Sequence, residues 1–90
     1  MLRLNTTTQF KKDYKRCAKR GYNMKLLAAV IDTLATPETL PLENRDHALT
    51  GNYNRHRECH IQPDWLLIYR IEGNDLYLDR TGTHADLFKE

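Results

Sequence analysis

The chain has 90 residues and a formal net charge of +2, with 40% hydrophobic and 29% charged residues. These values predict one soluble globular domain over residues 1–90, too short to enclose a deep pocket. No apolar run approaches the ~20 residues of a membrane span, and the first residues lack the apolar segment of a signal peptide. We therefore expect a cytoplasmic protein with no membrane segment, in which Cys17 and Cys59 are reduced thiols.

The N-terminal third predicts a short strand followed by two helices. Residues 1–5 alternate between apolar and polar, and three consecutive threonines then offer caps for a helix that begins near Gln9. Gly21 is suited to end that helix, because glycine tolerates a left-handed backbone. Asn23 can cap a second helix, which must end before Pro37. The short link between the helices predicts an antiparallel helical hairpin.

The first helix carries most of the basic charge. Residues 1–25 contain eight Lys or Arg and one acid, whereas residues 26–90 contain six Lys or Arg and eleven acids. This asymmetry suggests a basic face that contacts nucleic-acid phosphates, although a solvated helix face is the commoner explanation of any one basic run. The candidate RNA-binding residues are Lys11, Lys12, Lys15, Arg16 and Lys19.

After residue 46 the apolar period changes from helical to two, which predicts strands. A Glu-Gly-Asn-Asp turn separates the last two of them, and the segment 86–88 is expected to dock on the sheet. The predicted class is α+β, a small antiparallel β-sheet with an N-terminal two-helix hairpin packed on one face. The order is β-α-α-β-β-β with one possible further strand. The predicted strands are residues 49–53, 55–61, 65–71 and 76–80.

Three polar motifs lie at the ends of these strands: DHALTG (46–51), HIQPDW (60–65) and RTGTH (80–84). They supply His47, His60 and His84, and an unperturbed histidine titrates near ~6.5, so it can take or give a proton at neutral pH. Cleavage of RNA through its own 2′-hydroxyl needs such a base and such an acid. It also needs positive charge near the phosphorus, which Arg80 could supply.

Three further residues complete this candidate site. Asp64 could orient a histidine or act as a base, and Trp65 and Phe88 could hold a splayed nucleotide by stacking. Each has an ordinary structural explanation as well. Asp64 follows a proline, as turn residues often do, and a tryptophan that opens an apolar strand is more often core than stacking platform. Likewise, Arg80 could simply pair with a neighbouring acid.

Metal binding is the alternative chemistry. His56 and His60 are four residues apart with Cys59 between them, and His84 could add a ligand. A His-x3-His pair is a good zinc signal mainly on a helix, however, and this segment is predicted to be a strand. We therefore expect neither a metal nor another cofactor, and take His56 as an exposed strand residue.

At these residues the chain resembles the YafQ-type toxins of the RelE/ParE superfamily. The similarity extends over nearly the whole chain and is most specific in RECHIQPDWLLIY (57–69) and RTGTHADLF (80–88). It implies a type II toxin-antitoxin toxin, an mRNA interferase that acts in the ribosomal A site, with a cognate antitoxin, the ribosome and mRNA as partners. The family patterns imply the same site residues as those named above, which are His47, His60, Asp64, Trp65, Arg80, His84 and Phe88.

The resulting hypothesis is a metal-independent, ribosome-dependent endoribonuclease. His47, His60, Asp64 and His84 would share the acid–base work, and sequence cannot divide base from acid within a coupled cluster. Two alternatives stay open. One is a non-catalytic toxin of the same fold that inhibits a topoisomerase by binding, and the other is a plain RNA-binding module.

Overall fold

The computed structural model describes residues 1–36, 47–48 and 56–88. Within those residues the chain forms three helices and five strands, and the α+β class is confirmed. In chain order the elements are β1 (Arg3–Thr6), α1 (Thr8–Lys19), α2 (Met24–Ala35), β2 (His47–Ala48), β3 (Arg57–Gln62), β4 (Trp65–Glu72), β5 (Asp75–Gly82) and α3 (His84–Phe88). The strand predicted over residues 49–53 lies outside the described residues.

The two long helices begin and end where the sequence predicts. The Thr7 hydroxyl accepts a hydrogen bond from the backbone N–H of Phe10 at 2.9 Å, and Asn23 caps α2 in the same way. Gly21 has a φ of +81°, the left-handed conformation that glycine adopts at little cost. Of the helices in the described part of the chain, none is long and apolar enough to cross a membrane.

The sheet has the strand order β1-β5-β4-β3-β2. β3, β4 and β5 pair antiparallel, as the tight turns between them predict, and β2 pairs antiparallel with β3, but β1 pairs parallel with β5. The sheet is therefore mixed, and the expectation of a purely antiparallel sheet is wrong for β1. The physical reason is that no tight turn joins β1 to β5, and a long connection leaves the strand direction unconstrained.

The two faces of the sheet differ in character. One face packs against α1 and α2, and its core includes Phe10, Leu27 and Trp65. The other face holds a smaller apolar group, in which Leu66 and Ile68 pack against Leu87 of α3, with Phe88 at the edge. The predicted docking of the C-terminal segment on the sheet is confirmed, and this second face carries the polar cluster described next.

Candidate active site

A polar cluster occupies the second face of the sheet, where β3, the β3–β4 turn and α3 meet. Glu58 and His60 come from β3, Asp64 from the turn, and His84 and Phe88 from α3. The ring centroids of His60 and His84 are 5.7 Å apart, and those of His84 and Phe88 are 6.4 Å apart. Four predicted site residues therefore come together, although they are separated by as many as 28 positions in the chain.

His60 is buried and its orientation is fixed by two oxygen atoms. Its Nδ1 lies 3.2 Å from the Pro63 carbonyl oxygen, which can only accept, so Nδ1 carries the proton. Its Nε2 lies 3.4 Å from Oε1 of Glu58, a side chain that is itself only 6% exposed. The two side chains are close enough to share a hydrogen bond, and we call them the Glu58–His60 unit.

His84 is half-exposed and is fixed by Asp64. Oδ1 of Asp64 lies 2.7 Å from Nδ1 of His84 and accepts the backbone N–H of His84 at 3.0 Å. These hydrogen bonds lower the pKa of Asp64, and the backbone N–H makes the largest contribution. Because the carboxylate occupies Nδ1, the proton that His84 can exchange with another molecule is the one on Nε2.

Glu58 is the member of the cluster that the sequence analysis missed. It lies two residues before His60 on β3, and residues i and i+2 of a strand point to the same face. Once the segment was read as a strand, that alternation was the available signal. Glu58, His60 and His84 each offer a ligand atom, and these atoms lie within 4.8 Å of one another. Glu58 therefore lies with the two histidines and is a candidate both for acid–base chemistry and for metal binding.

The metal alternative drawn from sequence combined His60 and His84 with His56 and Cys59, and the structure separates the last two from the first two. His56 pairs with Asp79, with Nε2 3.1 Å from Oδ2. Cys59 is buried in the core on the helix side of the sheet. Neither residue joins His60 and His84. If a divalent cation binds here, its ligands are Glu58, His60 and His84. In both histidines Nδ1 faces an oxygen acceptor, which leaves Nε2 as the nitrogen that could bind a metal. Metal-binding imidazoles are commonly oriented in this way.

His47 is only partly described. Its backbone forms β2 and pairs with Glu58 of β3. The strand register therefore brings the backbone of His47 beside Glu58. The rest of that motif, apart from Ala48, lies outside the described residues. Participation of His47 in proton transfer stays a prediction.

Trp65 does not join the polar cluster. Its side chain is 2% exposed, its ring packs 4.9 Å from that of Tyr22, and its Nε1 donates to the Thr81 hydroxyl at 2.9 Å. The alternation along β4 turns Trp65 toward the helices and Leu66 toward the cluster. This geometry corrects the expectation that Trp65 stacks on RNA, because a ring enclosed by the core has no face for a base.

Arg80 points toward α1. The register between β4 and β5 shifts here, so that Ile68 pairs with Arg80 while Tyr69 pairs with Leu78. The Arg80 guanidinium donates to both carboxylate oxygens of Asp13, from Nε at 2.7 Å and from Nη2 at 3.3 Å. Asp13 is fully buried and also accepts the backbone N–H of Thr81. The main visible role of Arg80 is to bind β5 to α1, and its contact with phosphate stays a prediction.

The basic residues of α1 divide into two kinds. Four of them are exposed lysines, as an RNA-binding face requires, namely Lys11, Lys12, Lys15 and Lys19. Arg16 instead forms ion pairs with Asp13 at 3.1 Å and with Asp86 at 3.7 Å. It therefore contributes to internal structure, which the sequence did not reveal.

Comparison with known proteins finds relatives over nearly the whole chain. The family described as "Bacterial toxin of type II toxin-antitoxin system, YafQ" matches residues 2–89. The chain is 43% identical over 82 residues to the mRNA interferase toxin YafQ of Escherichia coli K12, covering 89% of this chain and 88% of that protein. The fold superimposes with a TM-score of 0.93 on a copper-bound mutant toxin from Helicobacter pylori. The two sequences are 41% identical, and the match covers 98% of this chain and 100% of that one. The TM-score is 0.90 for the E. coli DinJ–YafQ complex, with 36% identity and coverage of 98% and 99%.

Proposed function

Because this chain belongs to the YafQ family of bacterial toxins of type II toxin-antitoxin systems, we propose that it cleaves mRNA in the ribosomal A site by metal-independent acid–base catalysis. The toxin is an endoribonuclease, and the observation that supports this chemistry is the packing of two oriented histidines with two carboxylates in one cluster. In the proposed reaction the 2′-oxygen of the RNA bonds to phosphorus while the P–O5′ bond breaks. One residue removes the 2′-proton and another protonates the leaving 5′-oxygen.

His84 is the proposed acid. Its half-exposed ring can reach RNA, and Asp64 at Nδ1 stabilises the imidazolium that holds a proton on Nε2. The Glu58–His60 unit is the proposed base, since it pairs a carboxylate with an imidazole and lies next to the His84 ring. His60 is 7% exposed, so only an edge of its ring can meet the 2′-hydroxyl. His47 assists from the neighbouring strand.

Phe88 is the proposed platform for a base of the mRNA. Its ring lies beside His84 at the exposed edge of the second face. Stacking on an aromatic ring holds an unpaired base without selecting its sequence. The exposed lysines of α1 would contact ribosomal RNA phosphates, and Arg80 would approach the scissile phosphate only if its pairing with Asp13 loosens.

The proposed reaction needs no metal, yet the same atoms could bind one. A zinc or copper ion held by Glu58, His60 and His84 would occupy the nitrogen and oxygen atoms that exchange protons. We therefore expect a chelator that leaves magnesium untouched to preserve cleavage, and added zinc to inhibit it. A requirement for zinc, shown by loss of cleavage after chelation and recovery on zinc addition, would overturn the metal-independent reaction.

The partners follow from the same family. The E. coli relative has been crystallised with DinJ, and we propose that a cognate antitoxin binds this toxin in the same way and blocks its site. The ribosome and mRNA are the proposed targets, and the cytoplasm is the compartment in which both occur.

The test is to map mRNA 5′ ends on translating ribosomes supplied with the toxin. His84→Gln and His60→Gln should each lower the cleavage rate about 10²- to 10⁴-fold, the usual contribution of a general acid or base. His56→Gln is the matched control, because it removes a histidine that pairs with Asp79 outside the cluster, and its cleavage should be unchanged. Wild-type cleavage by both cluster variants would reject the catalytic assignment.

The same experiment separates the two alternatives. A plain RNA-binding module would bind ribosomes and produce no new 5′ ends with any variant. A topoisomerase inhibitor would leave mRNA intact and slow DNA supercoiling in a purified gyrase assay. The histidine–carboxylate cluster favours the enzyme, because neither alternative requires oriented proton carriers.

A further inference from the structure

Asp86 of α3 is held by Arg16 of α1 and by Arg20, the residue that caps the C-terminal end of α1. Nη1 and Nη2 of Arg20 donate to its two carboxylate oxygens at 2.6 and 3.0 Å, a bidentate pair, and Nη2 of Arg16 lies 3.7 Å away. Tyr22, two residues after Arg20, packs its ring on Trp65 in the core. The pKa of Asp86 is held well below its usual range, chiefly by Arg20. The carboxylate is therefore charged and anchored to the helix side of the fold.

The same carboxylate fixes the start of α3. Asp86 accepts the backbone N–H of Thr83 at 2.9 Å, and the Thr83 hydroxyl accepts the N–H of Asp86 at 3.1 Å. This reciprocal pair is a capping box, which sets the direction in which the helix leaves β5. His84 is the first residue of that helix. Any movement of Asp86 therefore changes where the His84 ring lies.

Gly82 shows how closely these groups approach. Its φ is +154°, and a Cβ there would lie 2.9 Å from Oδ2 of Asp86 and 3.1 Å from Nη2 of Arg16. A side chain would force the carboxylate away from the arginines. The RTGTH motif thus needs glycine so that α1 can reach α3 beside the active histidine.

A helix of five residues is too short to be stable alone, so contacts with the rest of the protein determine its position. Leu87 packs on the sheet, Asp64 binds the His84 end, and Arg20 binds Asp86. The Arg20 pair links α3 to the end of the basic helix with two short hydrogen bonds, and Arg16 adds a longer contact at 3.7 Å. Hydrophobic packing of Leu87 is non-directional and does not by itself fix a ring to within an ångström.

We propose that Arg20 and Asp86 are positioning residues, and that their ion pair holds α3 so that His84 meets Asp64, the Glu58–His60 unit and the scissile phosphodiester in reactive geometry. This inference rests on the proposed catalytic role of His84. It assigns Arg20, a basic residue at the end of a basic helix, to the chemical step and not to RNA binding. An error of about 1 Å in such a group can lower a rate by ~10²-fold, so loss of the pair should lower the rate at saturation at least ~10-fold.

The experiment measures single-turnover cleavage on programmed ribosomes as a function of toxin concentration. The variants are Arg20→Gln, Asp86→Asn and the double variant, with Arg20→Lys to keep the charge without the bidentate geometry. Lys25→Gln, which removes an exposed charge at the start of α2, is the matched control. Thermal unfolding verifies that each variant is folded, and the NMR shift of the His84 amide, which donates to Asp64, reports the position of α3.

The proposal requires a lower maximal rate with an unchanged half-saturating concentration in both single variants. The double variant should be no worse than either single one, and Arg20→Lys should recover part of the rate. The His84 amide should shift in the single variants but not in Lys25→Gln. An unchanged maximal rate in the single variants would overturn the positioning role. If the half-saturating concentration also rises, Arg20 contacts RNA instead.

Failure of the proposed function has a different signature. If His84→Gln cleaves like wild type, the catalytic role of His84 is wrong whatever the Arg20 variants do. If His84→Gln is inactive while Arg20→Gln and Asp86→Asn, both folded, keep the full maximal rate, the catalytic role stands and the positioning role is wrong.

Discussion

The two faces of the sheet are built from the same strands but serve different purposes. On β3, Cys59 points into the helix-side core while its neighbour His60 points into the polar cluster. On β4, Trp65 and Leu66 divide in the same way. Among residues 1–36, 47–48 and 56–88, two twelve-residue helices cover one face and one five-residue helix covers the other. Stability is therefore concentrated on the first face, which leaves the second able to hold partly exposed, oriented proton carriers.

The largest expected effect is on the helix-side face. Trp65→Ala should lower the free energy of unfolding by about 3–5 kcal/mol, because it leaves a cavity where the ring is 98% buried and contacts Tyr22. Phe88→Ala, on the half-exposed edge of the second face, should cost far less stability but weaken cleavage. Urea unfolding followed by circular dichroism measures the stability of both variants, and the 5′-end mapping measures their cleavage. If Trp65→Ala has normal stability and poor cleavage, Trp65 contacts RNA after all.

The second face should show the opposite balance. Glu58→Gln should lower the cleavage rate about 10²-fold or more, since an amide cannot share a proton with Nε2 of His60 as a carboxylate does. Its stability should change little, because it stays close in size and polarity. Glu72→Gln is the control on β4, where the carboxylate pairs with Arg70 and is half-exposed. Equal cleavage by the two variants would remove Glu58 from the proposed base.

Much of this division could be predicted from the sequence, because it depends on local rules. The caps at Thr7 and Asn23, the stop at Gly21 and the strand period after residue 46 all specify their own surroundings. The gathering of His60, Asp64 and His84 was also predicted, since each stands at a strand end.

What the sequence did not reveal depends on contacts between distant segments. The pairing of Arg80 with Asp13 joins residues 67 positions apart, and that of Arg20 with Asp86 joins residues 66 apart. No spacing rule within one element reports such partners, so arginines that hold the fold together resemble arginines that bind RNA. Trp65 was misassigned because the face of a strand residue depends on register, and a shift of one residue reverses it.

A smaller effect tests the link between the faces. The Thr81 hydroxyl accepts from Nε1 of Trp65 and donates to the Leu66 carbonyl at 2.7 Å, so it joins the core to the strand that leads to His84. Thr81→Val should lower the free energy of unfolding by about 1–3 kcal/mol, because a buried indole N–H loses its acceptor. Thr81→Ser keeps the hydroxyl and should recover most of that loss in the same urea titration. A loss in Thr81→Ser with none in Thr81→Val would mean that the methyl group, not the hydrogen bond, matters here.

The smallest expected effects are those of substitutions on the surface of α1. There the exposed Lys12 is compared with Arg16, which forms ion pairs within the protein. Lys12→Gln removes an exposed charge and should weaken ribosome binding a few-fold, reducing the slope of log affinity against log salt by about 1. Its stability should not change. Arg16→Gln breaks the pairs with Asp13 and Asp86, so it should lower the unfolding temperature more than Lys12→Gln does. Sedimentation with ribosomes at several salt concentrations, together with thermal unfolding, separates the two. An unchanged salt slope in Lys12→Gln would show that the lysines form only a solvated helix face. The basic helix would then act on the site through its arginines alone.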